Sequence, residues 1–296
     1  MYSFPYADFH CDTLTCLYAG TPENKLQNPI SALASYPKVI QYFALFTAPE
    51  LSDKDGYELF IKTAEYYQTM HLPENITPVL TIEDARILSV IPDGAAVAEK
   101  YGVRLLTPLW SGETAVGGSH NTDAGLTPFG KKLLADALSR GMVLDISHAS
   151  VRSADDIFTL SAGYDRPVVA SHSAVYALNP HSRNLRDGQI DAVNKTGGVI
   201  GLNLYPVFLS EDGKADFDCA YRHIDYFLTH GCRYSLALGC DLDGVDVLPD
   251  GLSTVADIPK FREYLAKRGM DETLLDDIFY GNLCRFTEKY ILTKKV

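Results

Sequence analysis

The chain has 296 residues, of which 46% are hydrophobic and 22% are charged, a composition typical of a folded globular protein rather than a disordered one. A formal net charge of −12 argues against nucleic acid as a partner, because such a partner requires a basic face. No apolar run reaches the roughly 18 residues that a membrane span needs, and no signal-peptide pattern is visible, so we expect no membrane partner and a cytoplasmic location.

Short apolar runs rich in Val, Ile, Leu and Phe alternate with longer amphipathic segments along the chain. The runs predicted to be strands are residues 6–12, 39–46, 76–83, 103–110, 142–148, 167–172, 198–205 and 235–241. The segments predicted to be helices include residues 57–70, 128–140, 153–160, 187–195 and 217–230. Near-continuous hydrophobic strands between helices predict a parallel sheet covered on both faces, and eight such units predict a (β/α)8 TIM barrel. An open doubly wound sheet is the alternative, disfavoured because no Gly-rich phosphate turn follows the first run.

The remaining segments fit around this barrel. Residues 258–292 read as helices that cap the barrel, and the polar, Gly-rich segment 111–126 is expected to build a wall of the active site. With no linker visible, we interpret residues 1–296 as one domain. The six cysteines include no C-x-x-C pair and are expected to be reduced, with Cys11 and Cys240 packed outside the barrel.

Polar side chains close several of the predicted strands. In the first strand, alternation predicts that Asp8, His10 and Asp12 share one face while Phe9 and Cys11 take the other. The candidate site residues at strand ends are His10, Asp12, Glu83, His148, His172 and Asp241. Because the carboxyl ends of barrel strands converge, these side chains are expected to meet. The three imidazoles and two of the three carboxylates already exceed the needs of one open zinc site and suit two divalent ions with one bridging carboxylate.

Seven short segments in chain order carry a further signal. They are Asp8-x-His10-x-Asp12-Thr13, Leu80-Thr-Ile-Glu83, Gly125-Leu-Thr-Pro-Phe-Gly130, Leu144-Asp-Ile-Ser-His148-Ala-Ser150, Ala170-Ser-His172-Ser173, His181-Ser-Arg183-Asn184-Leu185 and Gly239-Cys-Asp241-Leu-Asp243-Gly244. In this order and spacing they resemble the successive motifs of the membrane (renal) dipeptidase family, peptidase family M19 of the amidohydrolase superfamily. The resemblance runs through nearly the whole chain.

The resemblance implies a (β/α)8 barrel with a binuclear site, in which zinc is the expected metal. His10 and Asp12 would hold one ion, His148 and His172 the other, and Glu83 would bridge them. Many amidohydrolases bridge their metals with a carboxylated lysine on strand four instead. Residues 103–110 contain no lysine, which agrees with the Glu-bridged branch.

The resemblance also implies roles around the metals. Asp241 would move the proton, Arg183 would bind the substrate carboxylate, and Tyr205 would line the pocket. Trp110 stands where renal-type members carry a histidine that polarises the scissile carbonyl. An indole donates one N–H but cannot become a cation, so this task would fall on the metal or on another residue, of which His120 is a candidate.

The function that follows is a zinc-dependent dipeptidase, in which a hydroxide held between the two metals attacks the peptide bond. D-residues at the second position of the substrate are an open possibility, and a homodimer is expected from the family. One alternative is another binuclear-metal amidohydrolase acting on a different small amide, lactam or ester, since fold alone does not fix the substrate. A non-catalytic binding protein is a third hypothesis, disfavoured because all the expected ligands and Asp241 are present.

Overall fold

The computed structural model describes residues 1–293 and contains a closed barrel in which all neighbouring strands are parallel. Its strands are β1 Tyr6–Cys11, β2 Val39–Phe46, β3 Ile76–Glu83, β4 Val103–Thr107, β5 Val143–Asp145, β6 Val168–Ser173, β7 Ile200–Leu202 and β8 Leu236–Leu238. They follow each other around the barrel in chain order. This confirms the (β/α)8 architecture that the alternating apolar runs predicted.

Helices lie between and after the strands. The α-helices are α1 Thr13–Tyr18, α2 Ile30–Leu33, α3 Asp53–Thr69, α4 Gly94–Lys100, α5 Pro128–Ser139, α6 Val151–Ala162, α7 Asp187–Thr196, α8 Pro206–Leu209, α9 Phe217–Thr229, α10 Ile258–Lys267, α11 Glu272–Asp276 and α12 Asn282–Phe286. Short 3-10 turns span Glu23–Lys25, Ala85–Val90, Cys232–Tyr234 and Val255–Asp257, and π-helical turns span Asp277–Gly281 and Thr287–Ile291. Within residues 1–293, no helix combines the length and apolar character needed to cross a bilayer.

The buried apolar side chains form two clusters that separate the inside of the barrel from its outside. The inner cluster takes a residue from, or directly next to, each of the eight strands: Ala7, Ile40, Val79, Leu105, Val143, Val169, Val199 and Ala237. The outer cluster joins the other strand faces to the surrounding helices. Cys11 and Cys240 belong to the outer cluster, as the sequence predicted.

The first strand departs from simple alternation. Its pairing with β2 shifts register between Asp8 and Cys11, and Phe9 belongs to the inner cluster. Asp8 instead accepts a hydrogen bond from the hydroxyl of Tyr6, an outer-cluster residue, at 3.1 Å. The prediction that Asp8 shares a face with His10 was therefore wrong, because an irregularity of this kind lets two successive side chains enter one face.

The C-terminal helical segment closes the amino end of the barrel. Leu283, Phe286 and Ile291 pack into the inner cluster, and the Thr287 and Tyr42 hydroxyls hydrogen-bond at 2.8 Å. The Asn282 amide donates to the carbonyl of Leu236, at the start of β8. The predicted cap is thus confirmed, and it leaves the carboxyl end of the strands for the candidate site.

Several strands end earlier than the apolar runs suggested. Trp110, His148, Tyr205 and Asp241 each lie three residues beyond the last residue of their strands, in the loops at the carboxyl end of the barrel. His148 and Asp241 have φ of 66° and 62°, a left-handed conformation that cannot continue a strand.

Candidate metal centre

The six predicted strand-end residues meet at the carboxyl end of the barrel. Two groups of three residues could each hold a metal ion, because the possible ligand atoms within each group all lie within 4.8 Å of one another. His10 belongs to both groups. The groups are His10, Glu83 and His172, and His10, Asp12 and Asp241. His148 completes the group, with its Nε2 3.0 Å from His172 Nε2.

Glu83 lies between the imidazole of His10 on one side and those of His148 and His172 on the other. Its Oε2 is 3.3 Å from His10 Nε2. Its Oε1 is 3.0 Å from His148 Nε2 and 3.4 Å from His172 Nε2. The carboxylate therefore presents one oxygen to each side, and it is 3% exposed.

The hydrogen bonds behind the two paired imidazoles fix their tautomers. His148 Nδ1 lies 3.0 Å from the Trp110 carbonyl, which only accepts, so Nδ1 carries the proton. His172 Nδ1 lies 2.7 Å from Ser171 Oγ. Ser171 Oγ in turn donates to the Asp145 carboxylate, so it accepts from His172. In both neutral rings Nε2 is consequently a bare acceptor.

Three acceptors thus converge with no proton between them. His148 Nε2, His172 Nε2 and Glu83 Oε1 are 3.0–3.4 Å apart. Ligands at zinc distances in tetrahedral geometry lie about 3.3–3.6 Å apart, so the spacing suits a small cation. This donor set fits a divalent metal.

The other side of the site is richer in carboxylates. His10 Nε2 lies 3.6 Å from Asp12 Oδ2 and 3.7 Å from Asp241 Oδ1, in addition to its contact with Glu83. His10 Nε2 and Asp12 Oδ1 are buried without a hydrogen-bond partner in residues 1–293. A Cβ on Gly244 would run into the carboxylates of Asp12 and Asp241, so only glycine allows this close approach. Unsatisfied buried donors and acceptors of this kind are expected where an ion belongs.

The imidazoles differ in their protonation. Burial lowers the pKa of His148, helped by the charge of Arg183. Burial also lowers the pKa of His172 well below its usual range, with the charge of His10 adding to the effect. Burial acts in the same direction on His10, but the Glu83, Asp12 and Asp241 carboxylates together outweigh it and raise the pKa of His10 well above its usual range. Without metal, a proton on His10 balances the carboxylates, and metal binding would release it.

A cavity of about 440 Å³ opens over part of this group of candidate ligands. Trp110 and Tyr205 lie on its wall, together with Asp12, Glu83, His148 and Asp241. The volume lies within the about 300–1,000 Å³ typical of small-molecule sites.

Arg183 lies on the wall of a neighbouring cavity of about 360 Å³ and not in this one. Its guanidinium is buried, donates to the His172 carbonyl at 2.8 Å and to Ser173 Oγ at 3.0 Å, and stands 5.6 Å from the ring centroid of Phe208. Burial lowers the pKa of Arg183 to about 10, against the attraction of Asp241, so the side chain stays charged at neutral pH. Phe208 lines the larger cavity, so the two cavities are one aromatic ring apart.

The segment 111–126 contributes His120 to the same neighbouring cavity. The His120 ring lies 5.9 Å from that of His148, and its Nδ1 is 2.9 Å from Ser182 Oγ. Burial and the charge of Arg183 lower the pKa of His120 to about 3, so it is neutral.

Sequence reasoning missed the residues that hold the site from behind. Asn203 Nδ2 donates to Asp241 Oδ2 at 3.0 Å, which leaves Oδ1 facing His10. Ser171 Oγ donates to the Asp145 carboxylate and accepts from His172 Nδ1. Each of these residues is a polar residue within an apolar run of the sequence. That pattern alone does not predict a role, because the role depends on which side chains the residue contacts.

Comparisons with known proteins identify the family of the chain. The family model of the membrane dipeptidases (peptidase family M19) matches residues 57–295. A protein encoded in the pqqA 5′ region of Klebsiella pneumoniae is 35% identical over 62% of this chain and 71% of its own length. The dipeptidase aclJ of Aspergillus oryzae is 29% identical over 84% of this chain, which spans 57% of that relative's length.

Solved structures share the fold. A metallopeptidase of Rhodobacter sphaeroides, liganded with a phosphinate mimic of the dipeptide L-Ala-D-Ala, superposes with a TM-score of 0.85 at 21% identity, over 98% of this chain and 100% of that one. The dipeptidase AC, a metallopeptidase of family M19, gives a TM-score of 0.87 at 22% identity, over 99% of this chain and 100% of that one. The chain belongs to the membrane dipeptidase family, peptidase family M19, a family of metal-dependent hydrolases of peptide bonds.

Proposed function

We propose that this protein is a dipeptidase that uses two divalent ions, zinc being the expected metal, to hydrolyse the peptide bond of dipeptides. His10 and Asp12 would hold one ion, His148 and His172 would hold the other, and Glu83 would be the bridging carboxylate. The observation that carries the proposal is the position of Glu83, which offers Oε2 to His10 and Oε1 to His148 and His172. The ions supply Lewis acidity toward the scissile carbonyl and lower the pKa of the attacking water.

Asp241 is the proton carrier in this proposal. Asn203 holds its Oδ2, so Oδ1 faces the site and is free to accept a proton from the attacking water. The same oxygen then returns the proton to the departing amine.

Arg183, Trp110 and Tyr205 bind the substrate. The guanidinium of Arg183 keeps N–H groups beyond those given to His172 and Ser173, and it brings a positive charge for a free C-terminal carboxylate. Trp110 and Tyr205 form apolar walls of the cavity over the metal ligands. Because the Rhodobacter sphaeroides relative is liganded with a mimic of L-Ala-D-Ala, we include dipeptides with a D-residue at the second position among the substrates.

One observation favours a second candidate function. Arg183 donates to the protein itself and lies on the neighbouring cavity, so it is equally suited to support His172 from behind. In that case the enzyme would be a binuclear amidohydrolase acting on another small amide, lactam or ester without a free carboxylate.

The test compares free dipeptides with their C-terminally amidated forms and with small esters, on protein loaded with zinc. We expect two ions per chain by elemental analysis and a higher kcat/KM for free dipeptides, including those ending in a D-residue. Preference for the amidated or ester substrates would instead support the second candidate. A chain that holds one ion when saturated would contradict the binuclear site.

A further inference from the structure

Asp145, at the end of β5, is a fully buried carboxylate that has no part in the proposed reaction. Its Oδ1 accepts the backbone N–H groups of Ser147 and Ser171 at 2.8 and 3.0 Å. Its Oδ2 accepts the hydroxyl of Thr107 at 2.8 Å and that of Ser171. Each oxygen thus has two donors, and the two on Oδ1 belong to the main chain and cannot rotate.

The direction of these hydrogen bonds is determined all the way to the metal site. A carboxylate only accepts, so the Ser171 proton points at Asp145. The lone pair of Ser171 Oγ then faces His172 Nδ1 at 2.7 Å, and Nδ1 must carry the ring proton. His172 Nε2 is left bare toward His148 and Glu83.

We propose that Asp145 and Ser171 form a relay that locks His172 in the tautomer required for metal binding, and thereby sets the ion affinity of the His148–His172 half of the site. The proposal rests on the metal-ligand role given to His172 above. Both are positioning residues, because they act through the imidazole. Partners of this kind usually change metal affinity by about 10–100-fold.

Different groups fix the tautomers of His148 and His172, so the effect of the relay on His172 can be tested without changing His148. His148 takes its tautomer from a main-chain carbonyl, that of Trp110, which no side-chain substitution removes. His172 depends on two side chains. A change at position 145 or 171 should therefore affect His172 while His148 keeps its geometry.

Asp145→Asn keeps the size of the side chain but reverses the direction of the hydrogen bonds from position 145 through Ser171 to His172. The two backbone N–H groups hold the amide oxygen at the Oδ1 position, so the NH2 group replaces Oδ2 and donates to Ser171 Oγ. Ser171 then donates to His172 Nδ1, and the ring proton moves to Nε2, where it blocks the metal. Ser171→Ala removes the relay without inverting it, so its effect should be smaller.

The experiment measures ion affinity by competition with a chelator, and the tautomer by ¹⁵N NMR of labelled histidine in the metal-free protein at mildly alkaline pH. We expect Asp145→Asn to show Nε2–H at His172 and to lose about 10–100-fold affinity for one of two ions. Ser171→Ala should lose less. Thr107→Val, which removes the other hydroxyl on Asp145 Oδ2 but does not touch His172, serves as the matched control and should bind both ions normally.

Two results would overturn the relay: wild-type affinity and an Nδ1–H ring in Asp145→Asn, or an equal loss in Thr107→Val, which would make the network merely structural. If Asp145→Asn does not fold, Ser171→Ala with wild-type affinity and tautomer overturns it alone. A wild-type protein that binds no second ion would contradict the proposed function instead, while the NMR measurement would still decide the tautomer.

Discussion

At the carboxyl end of the barrel the buried side chains are imidazoles and carboxylates, and His148 and Asp241 adopt left-handed backbone conformations. At the amino end the same barrel is closed by apolar side chains, with Leu283 and Phe286 packed into the inner cluster. The carboxyl end leaves His10 Nε2 and other buried atoms without partners in residues 1–293. At the amino end the Thr287 and Tyr42 hydroxyls satisfy each other.

This difference indicates that the amino end of the barrel contributes mainly to stability and the carboxyl end mainly to the chemistry. Buried polar atoms without partners and left-handed non-glycine residues each destabilise a fold by about 1–3 kcal/mol. They persist only where the rest of the structure offsets them, and a packed apolar end does so. Substitutions at the carboxyl end should therefore change metal binding and turnover, whereas those at the amino end should change the free energy of unfolding.

Glu83→Gln should have the largest effect, because this carboxylate contacts both sets of imidazoles. We expect ion content to fall well below two per chain and turnover to reach background, measured by elemental analysis and dipeptide hydrolysis. Glu99→Gln is the matched control, since Glu99 pairs with Arg140 at 2.8 Å and lies outside the site. A Glu83→Gln enzyme that kept two ions would remove the bridge from the proposal.

Asp241→Asn should retain both ions but lose about 10²–10⁴-fold in kcat, because an amide fills the same space without accepting the proton. The ions stay because His10, Asp12 and Glu83 are unchanged. Ion content and kcat must be measured on the same preparation. Near-normal kcat in a fully loaded variant would exclude Asp241 as proton carrier.

Phe286→Ala tests the amino end. Phe286 is 4% exposed and contacts Phe9 edge-on at a centroid distance of 5.7 Å. Removing a buried phenyl ring typically costs about 3–5 kcal/mol, so the free energy of unfolding should fall by that amount while kcat/KM and ion content of the folded protein stay the same. Phe129→Ala, at a side chain that is 37% exposed, is the control and should cost much less. A large loss of metal in Phe286→Ala would show that the two ends are coupled.

Arg183→Met should lower kcat/KM for free dipeptides by roughly 100-fold while amidated dipeptides lose much less, because the methionine keeps the apolar stem and removes only the charged fork. Arg183→Lys should fall between, since it keeps the charge without the fork. Equal losses for both substrates would assign Arg183 to holding the His172 carbonyl.

The barrel could be predicted from sequence because each strand lies in a short, mostly apolar run, and the convergence of the six strand-end residues followed from that topology. The sequence could not predict which face of β1 carries the Asp8 side chain, because the register shift in β1 depends on pairing with β2 and β8. The loop positions of His148 and Asp241 depend on left-handed backbone conformations that nothing local requires of these residues. Asp145 was part of a recognised segment, but its role depends on Ser171, which lies on another strand.

The smallest effect concerns a histidine of the carboxyl end that stands outside the metal site. His223, on α9, accepts the Val175 backbone N–H at Nδ1 and donates from Nε2 to the Leu209 carbonyl, which joins this helix to the segment after β6 and to the end of α8. Burial lowers the pKa of His223 to about 4. The unfolded chain, with a pKa near 6.5, binds this proton first, so stability present above about pH 6.5 is lost as pH falls toward 4, by about 2 kcal/mol at about pH 5.

His223→Asn keeps an acceptor for Val175 but cannot be protonated, so it should lower the free energy of unfolding at neutral pH and flatten its decline between about pH 6.5 and 4. Comparing the slopes of variant and wild type cancels the titration of the metal ligands, which is common to both. Identical slopes would show that His223 is not the group that couples protonation to unfolding.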